Sequence, residues 1–500
     1  MHLLFRTIRF IVISLLLAVQ TVQGAEPYFD FNNQCREAYQ HILSLRLPQA
    51  GKILQKEKQE HPDNLIPVYL EGYIDFFQLF FNEDPAQYAG AADRWKQRSD
   101  ALLRGPEQSP FHKFSRAVHQ FQWAAIQIKF GHNWDAGWAF RRAFLLFKQN
   151  EALFPRFAPN KLYNGSMQMA AGTIPDGYKW LSGLLGIKGN IQKGVQKIDS
   201  FLVGGDDYSR LYHEEGMFYY SYLRFYILND KAGVLKYIKE QSPDLRTNHL
   251  FAYLAANLNI NAQQALRARE IISARVNNEN YFQTPIWDLE MGYAALYSLQ
   301  PDAATYLQRF LNQFKGRFYV KDAWQKLSWH YYLKGDQVQA DYCRKQLMKK
   351  GSTDTEADKQ ALKEARTGRW PDKLLLKARL LNDGGFFREG LGLLHGHKPT
   401  DFASATDQVE FCYRAARLFE DNVNADQALY YYAQTIRLGA DRPEYFAARA
   451  ALQTGLIYER KQQCSEAIRW FQRCLDMDDH DFKNSLDQKA KAGLARCKGQ

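Results

Sequence analysis

The sequence predicts an all-α protein, an α-solenoid in which antiparallel helix pairs stack into a right-handed superhelix. Small residues recur at a fixed spacing of 12 on the two sides of successive turns. Apolar residues between the turns follow helical rather than alternating spacing, and no strand pattern of useful length occurs. Hydrophobic residues make up 46% of the 500 positions, so the pairs have enough apolar surface to bury one another's faces.

The clearest helix pair spans residues 324–347. Trp324, Ser328 and Tyr331 fall on one helix face, a Gly-Asp turn follows, and Ala340 lies on the second helix. Ser328 and Ala340 are 12 residues apart, and small side chains at both positions let the two helices approach closely. This order of Trp, small residue, Tyr and Ala resembles the tetratricopeptide (TPR) repeat, which implies a TPR-like superhelix.

Four more pairs repeat the spacing of small residues. Gly292 lies 36 residues before Ser328, and Ala416 lies 39 residues before Gly455, which are repeat-like periods. Five pairs with the same turn placement predict a repeat array rather than chance small residues in helices. The predicted repeat positions are Ala38, Ala50, Gly292, Ala304, Trp324, Ser328, Tyr331, Ala340, Ala416, Ala428, Gly455, Tyr458, Ala467 and Phe471.

The regularity of the helices divides the chain into three parts. We assign a signal peptide to residues 1–24, irregular helical repeats to 25–245 and TPR-like repeats to 246–500. A polar helix at 485–497 is expected to cap the array, because a terminal repeat has no neighbour to cover it. Further helices are expected at residues 64–81, 85–103, 110–130, 134–154, 207–228, 231–241, 248–259 and 262–274.

The N-terminus has the pattern of a secretory signal. Arg6 and Arg9 precede a short apolar run, and Val22-Gln23-Gly24 offers small residues for cleavage before Ala25. An uncleaved anchor is the alternative, but the run is short for a membrane span. No later segment reaches 18 apolar residues, so we expect no transmembrane segment in the mature chain. The pattern predicts export to the periplasm or outside the cell, and association with an envelope stays open.

The Gly-rich segment 164–202 carries a second resemblance. It contains Gly165, Pro175 and Trp180, and residues 186–195 read GIKGNIQKGV. This pattern is similar to the signature of a eukaryotic TPR family associated with the mitochondrial outer membrane and inclusion-body clearance. Members of that family have no export signal, so the resemblance does not imply their location, and it implies no catalytic residues.

The charge pattern argues against nucleic acid as a partner. The formal net charge is +11, but Lys and Arg alternate with Asp and Glu, and no block of five basic residues occurs. Such mixing is typical of a solvated helix surface rather than a nucleic-acid groove.

Six cysteines in a chain with an export signal raise the question of disulfides. None has CxxC or zinc-finger spacing, so they predict no metal site. Two interpretations stay open: a bridge such as Cys474–Cys497 between neighbouring helices, or small buried residues on helix faces. The sequence does not decide the disulfide state of Cys464, Cys474 and Cys497.

Three clusters of titratable residues have a chemical and a structural interpretation. His213-Glu214-Glu215 resembles an acid/base cluster, but adjacent helix residues point apart, so we expect a solvated helix start. His395-Gly396-His397 lacks further ligands and is expected to be a loop with a left-handed glycine. The aspartates at 476–481 lack the glycine of a calcium loop and predict an acidic inter-helix loop. We therefore predict no catalytic, cofactor-binding or metal-binding residues.

The function that fits these patterns is a scaffold or adaptor that binds a protein or peptide partner on its concave surface. The candidate groove aromatics are Tyr219, Tyr220, Tyr430 and Tyr431, because neighbouring tyrosines on a helix cannot all face the core. One alternative is an (α/α) toroid enzyme, a polysaccharide lyase or glycosidase. Another is a glycan-capture protein of a bacterial envelope. The sequence leaves the partner, the oligomeric state and the choice between peptide and glycan undecided.

Overall fold

The computed structural model describes residues 26–172, 186 and 189–499, which form 26 α-helices. These residues contain no β-strand, and their one isolated bridge joins Tyr28 to Asn64. The all-α prediction is therefore confirmed. The predicted signal peptide at 1–24 lies outside the described residues, as do Pro175 and Trp180 of the Gly-rich segment.

The helices follow one another through short turns. The first twelve are α1 (Asn33–Leu43), α2 (Leu47–Glu60), α3 (Ile66–Asn82), α4 (Pro85–Ala89), α5 (Ala91–Leu103), α6 (Pro110–Lys129), α7 (Asn133–Leu153), α8 (Pro159–Gly172), α9 (Ile191–Leu202), α10 (Asp207–Leu211), α11 (His213–Ile227) and α12 (Lys231–Gln241). The remainder are α13 (His249–Asn261), α14 (Ala265–Ala274), α15 (Ile286–Tyr297), α16 (Ala303–Gln313), α17 (Val320–Lys334), α18 (Gln337–Lys349), α19 (Glu356–Arg366), α20 (Lys373–Gly384), α21 (Phe387–Leu394), α22 (Ala405–Asp421), α23 (Ala425–Gly439), α24 (Phe446–Arg460), α25 (Cys464–Leu475) and α26 (Lys483–Cys497), with a short 3-10 helix at Pro399–Asp401.

Consecutive helices pack as antiparallel pairs, and each pair packs on the next. The tightest pairings include α6 with α7, α17 with α18, α22 with α23 and α24 with α25. Within the described residues, α1 packs mainly on α2 and α3, and α26 packs mainly on α24 and α25, as in an open array. The capping helix predicted at 485–497 begins two residues earlier, at Lys483. The helix-repeat architecture agrees with the predicted α-solenoid.

The predicted Gly-Asp turn shows how the chain ends one helix and begins the next. Gly335 ends α17 with φ +85°, a backbone conformation that favours glycine. The Asp336 side chain then accepts a hydrogen bond of 3.0 Å from the backbone N–H of Gln339, which caps the start of α18. Gly385 ends α20 in the same way, with φ +88°.

The predicted repeat positions lie at the contacts between paired helices. Most are fully buried, whereas Ala304, Tyr331 and Tyr458 are half-buried. At Gly292 and Gly455 the small residue receives the large side chain of the partner helix, Leu307 or Phe471. A Cβ on Gly292 would lie 2.8 Å from Leu307 Cγ, so glycine allows the close packing there.

Replacing Gly455 by alanine tests this packing. The new Cβ would lie 2.6 Å from Phe471 Cδ1 and Cε1, and Phe471 is fully buried. We expect the free energy of unfolding to fall by about 1–3 kcal/mol. The control is Gly392→Ala on α21, where nothing lies within 4 Å and helix propensity alone should stabilise. Urea unfolding followed by circular dichroism measures both variants, and equal stabilities would contradict the proposed contact.

Glycines of the Gly-rich segment hold α8 and α9 close together. A Cβ on Gly165 would lie 2.7 Å from the Gly194 carbonyl oxygen, and a Cβ on Gly194 would lie 2.7 Å from the Gly165 carbonyl oxygen. A Cβ on Gly189 would approach the backbone nitrogen of Gly172 to 2.1 Å. The glycine content around the crossing is therefore explained by backbone contact between two helices.

The cysteines are free thiols, and four are buried: Cys35, Cys343, Cys412 and Cys474. Cys474 belongs to the apolar core of the last repeats, whereas Cys464 is exposed. The thiol of Cys464 lies beside that of Cys497, and burial followed by this neighbour raises the pKa of Cys497 to about 11. The thiol beside Cys497 is thus that of Cys464 and not that of Cys474, whose pairing with Cys497 was one of the two interpretations that the sequence left open.

Candidate binding groove

The first helices of the C-terminal pairs line a cavity of about 740 Å³. Helices α20, α22, α24 and α26 all contribute side chains to it, together with α19 and the turns before these helices, whereas α21, α23 and α25 contribute none. This places the first helices on the inner, concave side of the array and the second helices on the outer side. We name this space the arginine cavity, and its cationic lining is Lys363, Arg369, Arg379, Arg414, Arg417 and Arg449.

Carboxylates pair with most of these cations. Arg414 donates from Nε and Nη2 to Glu410 Oε1 at 3.0 and 2.7 Å. Burial alone lowers the pKa of Arg414, but the Glu410 carboxylate outweighs it and holds the pKa above the ordinary value. Arg417 Nη2 lies 3.0 Å from Asp421 Oδ2. The acidic lining of the cavity is Glu364, Asp383, Asp407, Glu410, Glu444 and Asp481.

Arg449 differs from the other arginines. Its Nε is buried and has no hydrogen-bond partner among the described residues. The side chain lines the cavity and makes no ion pair in that part of the chain. A guanidinium group carries five N–H donors, so this side chain offers binding capacity that the fold does not use.

A second patch of polar and aromatic side chains lies on first helices of the middle repeats. The Tyr226 hydroxyl on α11 donates to Asn257 Oδ1 on α13 at 2.7 Å. Asn257 Nδ2 in turn donates to Glu290 Oε1 on α15 at 2.8 Å. Tyr222 and Tyr226 are 45% and 44% exposed, and Tyr319 beside them is 39% exposed. We name these five residues the tyrosine patch.

Glu290 is the buried acid of the tyrosine patch. It is 4% exposed, and its Oε2 has no hydrogen-bond partner within the described ranges. Burial raises the pKa of Glu290 to about 7, and the hydrogen bond from Asn257 opposes the shift only in part. The patch therefore combines accessible aromatic rings with an acid that is half ionised near neutral pH.

The four aromatics predicted for the groove do not line the arginine cavity. Tyr219 packs in the N-terminal core, with its ring 5.7 Å from that of Tyr163. Tyr220 faces its own partner helix, 4.5 Å from the ring of Tyr237. Tyr430 and Tyr431 belong to α23, a second helix on the outer side, where Tyr430 is 56% exposed. Adjacent tyrosines show that one ring leaves the core but not which side of the array it faces.

The sequence does contain a signal for the actual groove. Arg379, Arg414 and Arg449 are each 35 residues apart and occupy α20, α22 and α24. Asn257 and Glu290 are 33 residues apart and hydrogen-bond directly. Polar residues that recur with the repeat period on first helices would have identified the concave face.

Glu215 is buried rather than part of a solvated helix start, which corrects the sequence-based interpretation. It is 6% exposed and accepts hydrogen bonds from the hydroxyls of Tyr39, Tyr73 and Tyr163, the Tyr73 bond being 3.2 Å. Glu214, next to it, is exposed. Burial raises the pKa of Glu215, while the three tyrosine hydrogen bonds act in the opposite direction.

The tyrosines around Glu215 are hydrogen-bonded to one another as well. Tyr69 and Tyr73 hydroxyls are 3.0 Å apart, Tyr69 and Tyr212 are 3.2 Å apart, and Tyr73 and Tyr163 are 2.7 Å apart. We name Glu215 together with Tyr39, Tyr69, Tyr73, Tyr163 and Tyr212 the Tyr–Glu cluster. The cluster joins α1, α3, α8 and α11 through hydrogen bonds inside the largest apolar core. Its role is therefore to hold these helices together.

The other predicted clusters have structural explanations. Gly396 has φ +80°, as expected for a loop, and the flanking His395 and His397 are exposed. In the acidic loop, the Lys483 ammonium lies 3.3 Å from Asp478 Oδ1 and 3.1 Å from Asp487 Oδ2. It also donates to the carbonyl oxygen of Met477 at 3.0 Å, so this lysine binds one aspartate and the backbone of the loop.

One further group has the residue types of a metal site. Ligand atoms of Glu57, Glu60 and His61 lie within 4.8 Å of one another. Glu57 Oε1 already accepts hydrogen bonds from Asn32 and Asn64, at 2.7 and 3.1 Å. These amide donors hold the carboxylate in the protein's own network.

None of the helices in the described ranges is long and apolar enough to cross a bilayer.

No family model matches this sequence, and no curated protein matches it. Among solved structures, the chain is similar to the apo form of the quorum sensor NprR from B. thuringiensis, with 10% identity and a TM-score of 0.30 over 81% of this chain and 97% of that one. It is similar to a monomeric IFIT1 mutant with m7Gppp-AAAA, with 12% identity and a TM-score of 0.29 over 87% of this chain and 79% of that one. It is also similar to the APC/C hetero-tetramer Cut9-Hcn1, with 10% identity and a TM-score of 0.26 over 91% and 95%. At such TM-scores the assignment of the fold rests on the helix pairs themselves.

Proposed function

We propose that this protein is an exported TPR-like scaffold that binds a protein or peptide partner on its concave surface and performs no catalysis. One observation carries the proposal: the first helices present exposed tyrosines beside buried polar atoms that have no partner in the described chain. Aromatic rings with nearby unsatisfied donors and acceptors are typical of surfaces that bind peptides. The open order of the helix pairs supports a scaffold more than a toroid enzyme.

Photo-crosslinking from matched positions tests the proposal. A benzoylphenylalanine at Tyr222 on α11 would face the groove, and one at Tyr430 on α23 would face outward. Both tyrosines are exposed, at 45% and 56%, so accessibility does not distinguish them. We expect crosslinks to a defined protein, identified by mass spectrometry from the native source, at Tyr222 but not at Tyr430. Equal crosslinking at both positions would contradict a concave binding surface.

Export is part of the proposal and has its own test. The signal pattern supports a mature N-terminus at Ala25, which N-terminal sequencing of the native protein would detect. The adjacent thiols of Cys464 and Cys497 add a second readout, because an oxidising compartment would join them. A native protein with an intact Met1 and two free thiols would contradict export. The resemblance to the mitochondrial TPR family supports a repeat scaffold. It does not bear on the proposed export, because members of that family have no export signal.

A further inference from the structure

One face of α11 carries a pair of tyrosine rings that the fold leaves open. Tyr222 and Tyr226 are four residues apart, so both side chains project from the same face of the helix. Their ring centroids lie 4.8 Å apart and their planes are tilted by 52°, so the two rings form the walls of a shallow corner. The side chains are 45% and 44% exposed, so the corner offers aromatic surface to a ligand.

Cations of this chain cover neighbouring tyrosines but not this pair. Arg224, on the same helix, lies over the Tyr220 ring at 5.0 Å, and Lys326 on α17 lies 6.0 Å from the centroid of the Tyr293 ring. In the part of the chain that the structure describes, no lysine or arginine lies over either ring of the pair. The attraction between a cation and a tyrosine ring is thus used on both sides of the corner and left unused within it.

A chain of hydrogen bonds connects the Tyr226 ring to a buried acid. Its hydroxyl donates to Asn257 Oδ1 on α13 at 2.7 Å, and Asn257 Nδ2 donates to Glu290 Oε1 on α15 at 2.8 Å. Hydrogen bonds in series polarise one another, so the negative charge of Glu290 makes the Tyr226 ring richer in electrons. Because Glu290 is only 4% exposed, it acts on the groove through this relay and not by contact with a ligand.

The negative charge of Glu290 is not balanced by the fold. Its Oε2 has no hydrogen-bond partner among the described residues, and no cation there forms an ion pair with it. On α17, by contrast, Asp322 accepts a hydrogen bond of 2.9 Å from Lys326 Nζ and is already neutralised. Burial raises the pKa of Glu290 to about 7, so the acid carries charge at neutral pH and above. A positive ligand would complement this surface, whereas a negative one would be repelled.

We propose that Tyr222 and Tyr226 form a subsite for a lysine or arginine side chain of the partner protein. The inference deepens the proposed function and rests on it, since the basic residue would belong to a segment bound on the same concave surface. The aliphatic stem of the side chain would pack along the rings, and its charged end would lie over their electron-rich faces.

The bonding within the relay favours a basic peptide over a glycan. Both polar atoms of the Asn257 amide are engaged by Tyr226 and Glu290, so few groups remain for the hydroxyls of a sugar. A general attraction would not explain a preference for lysine either. The formal net charge of +11 repels basic peptides as a whole, so such a preference requires a local site.

The test compares two short fluorescein-labelled peptides, one with two lysines in a glycine–serine background and one with norleucines in their place. Norleucine keeps the aliphatic stem of lysine but not its charge, so the comparison isolates the cation. At about pH 8, where Glu290 is ionised, we expect the wild-type protein to bind the lysine peptide about tenfold more tightly. Tyr222→Leu should reduce this preference to about twofold. The matched control Tyr430→Leu, at an exposed tyrosine on the outer side, should keep the full preference.

A second variant tests the relay. Glu290→Gln removes the charge but keeps an acceptor for Asn257, so the preference for lysine should fall about threefold while the circular dichroism spectrum stays that of the wild type. A preference that this change leaves intact would contradict the role of Glu290.

Three results would overturn the subsite itself: equal affinity of the wild type for the two peptides, no measurable affinity for either, or an undiminished preference in Tyr222→Leu. Tighter binding of a soluble cello-oligosaccharide than of the lysine peptide would overturn it as well. A Tyr222 crosslink that persists in any of these cases leaves the concave binding surface standing.

Discussion

Replacing Glu215 by alanine is expected to lower the free energy of unfolding by about 3–5 kcal/mol. The hydroxyls of Tyr39, Tyr73 and Tyr163 all donate to this carboxylate, and all three tyrosines are buried. Without the acceptor, these donors remain in a site that water does not reach, and a cavity is left behind. The recovered desolvation energy of the carboxylate offsets only part of this loss.

The adjacent residue provides a matched control. Glu214 is exposed, and its main contact is a hydrogen bond of 3.1 Å from Asn248 Nδ2. We expect Glu214→Ala to change stability by less than about 1 kcal/mol. Urea unfolding gives the two free energies, and hydrogen exchange locates the loss in α1, α3, α8 and α11. Equal stability of the two variants would show that the Tyr–Glu cluster does not hold these helices together.

The architecture was predictable because its signals are local. A turn such as Gly335-Asp336 is encoded by a glycine with positive φ followed by an N-capping aspartate. The closeness of paired helices is encoded by small residues such as Gly455 within a window of 12. Local signals of this kind do not depend on where distant repeats lie.

The Tyr–Glu cluster and the groove were harder to predict because their contacts are distant in sequence. Tyr39 and Glu215 are 176 residues apart, and no local pattern distinguishes Glu215 from the exposed Glu214. The first and second helices of a pair have similar patterns of aromatic residues, so the aromatic pattern alone does not place Tyr430 on one side of the array. Only the repeat period reveals the inner face, through recurrences such as Arg414 and Arg449, 35 residues apart.

Replacing Glu290 by glutamine is expected to stabilise the protein above neutral pH by about 3 kcal/mol. Burial raises the pKa of Glu290 to about 7 from a value of 4.5 in the unfolded chain. Folding therefore binds the proton more tightly, and this contribution to stability is fully present below pH 4.5 and lost as the pH rises through about 7. Glutamine stays neutral and can still accept the hydrogen bond from Asn257.

The pH profile decides whether the effect comes from Glu290 itself. Wild type and Glu290→Gln should have similar unfolding free energies near pH 4.5, and the gap should widen until it levels above pH 7. Glu279→Gln, a change of an exposed carboxylate on the loop before α15, should follow the wild type throughout. A gap that does not vary with pH would show that packing, not ionisation, separates the variants.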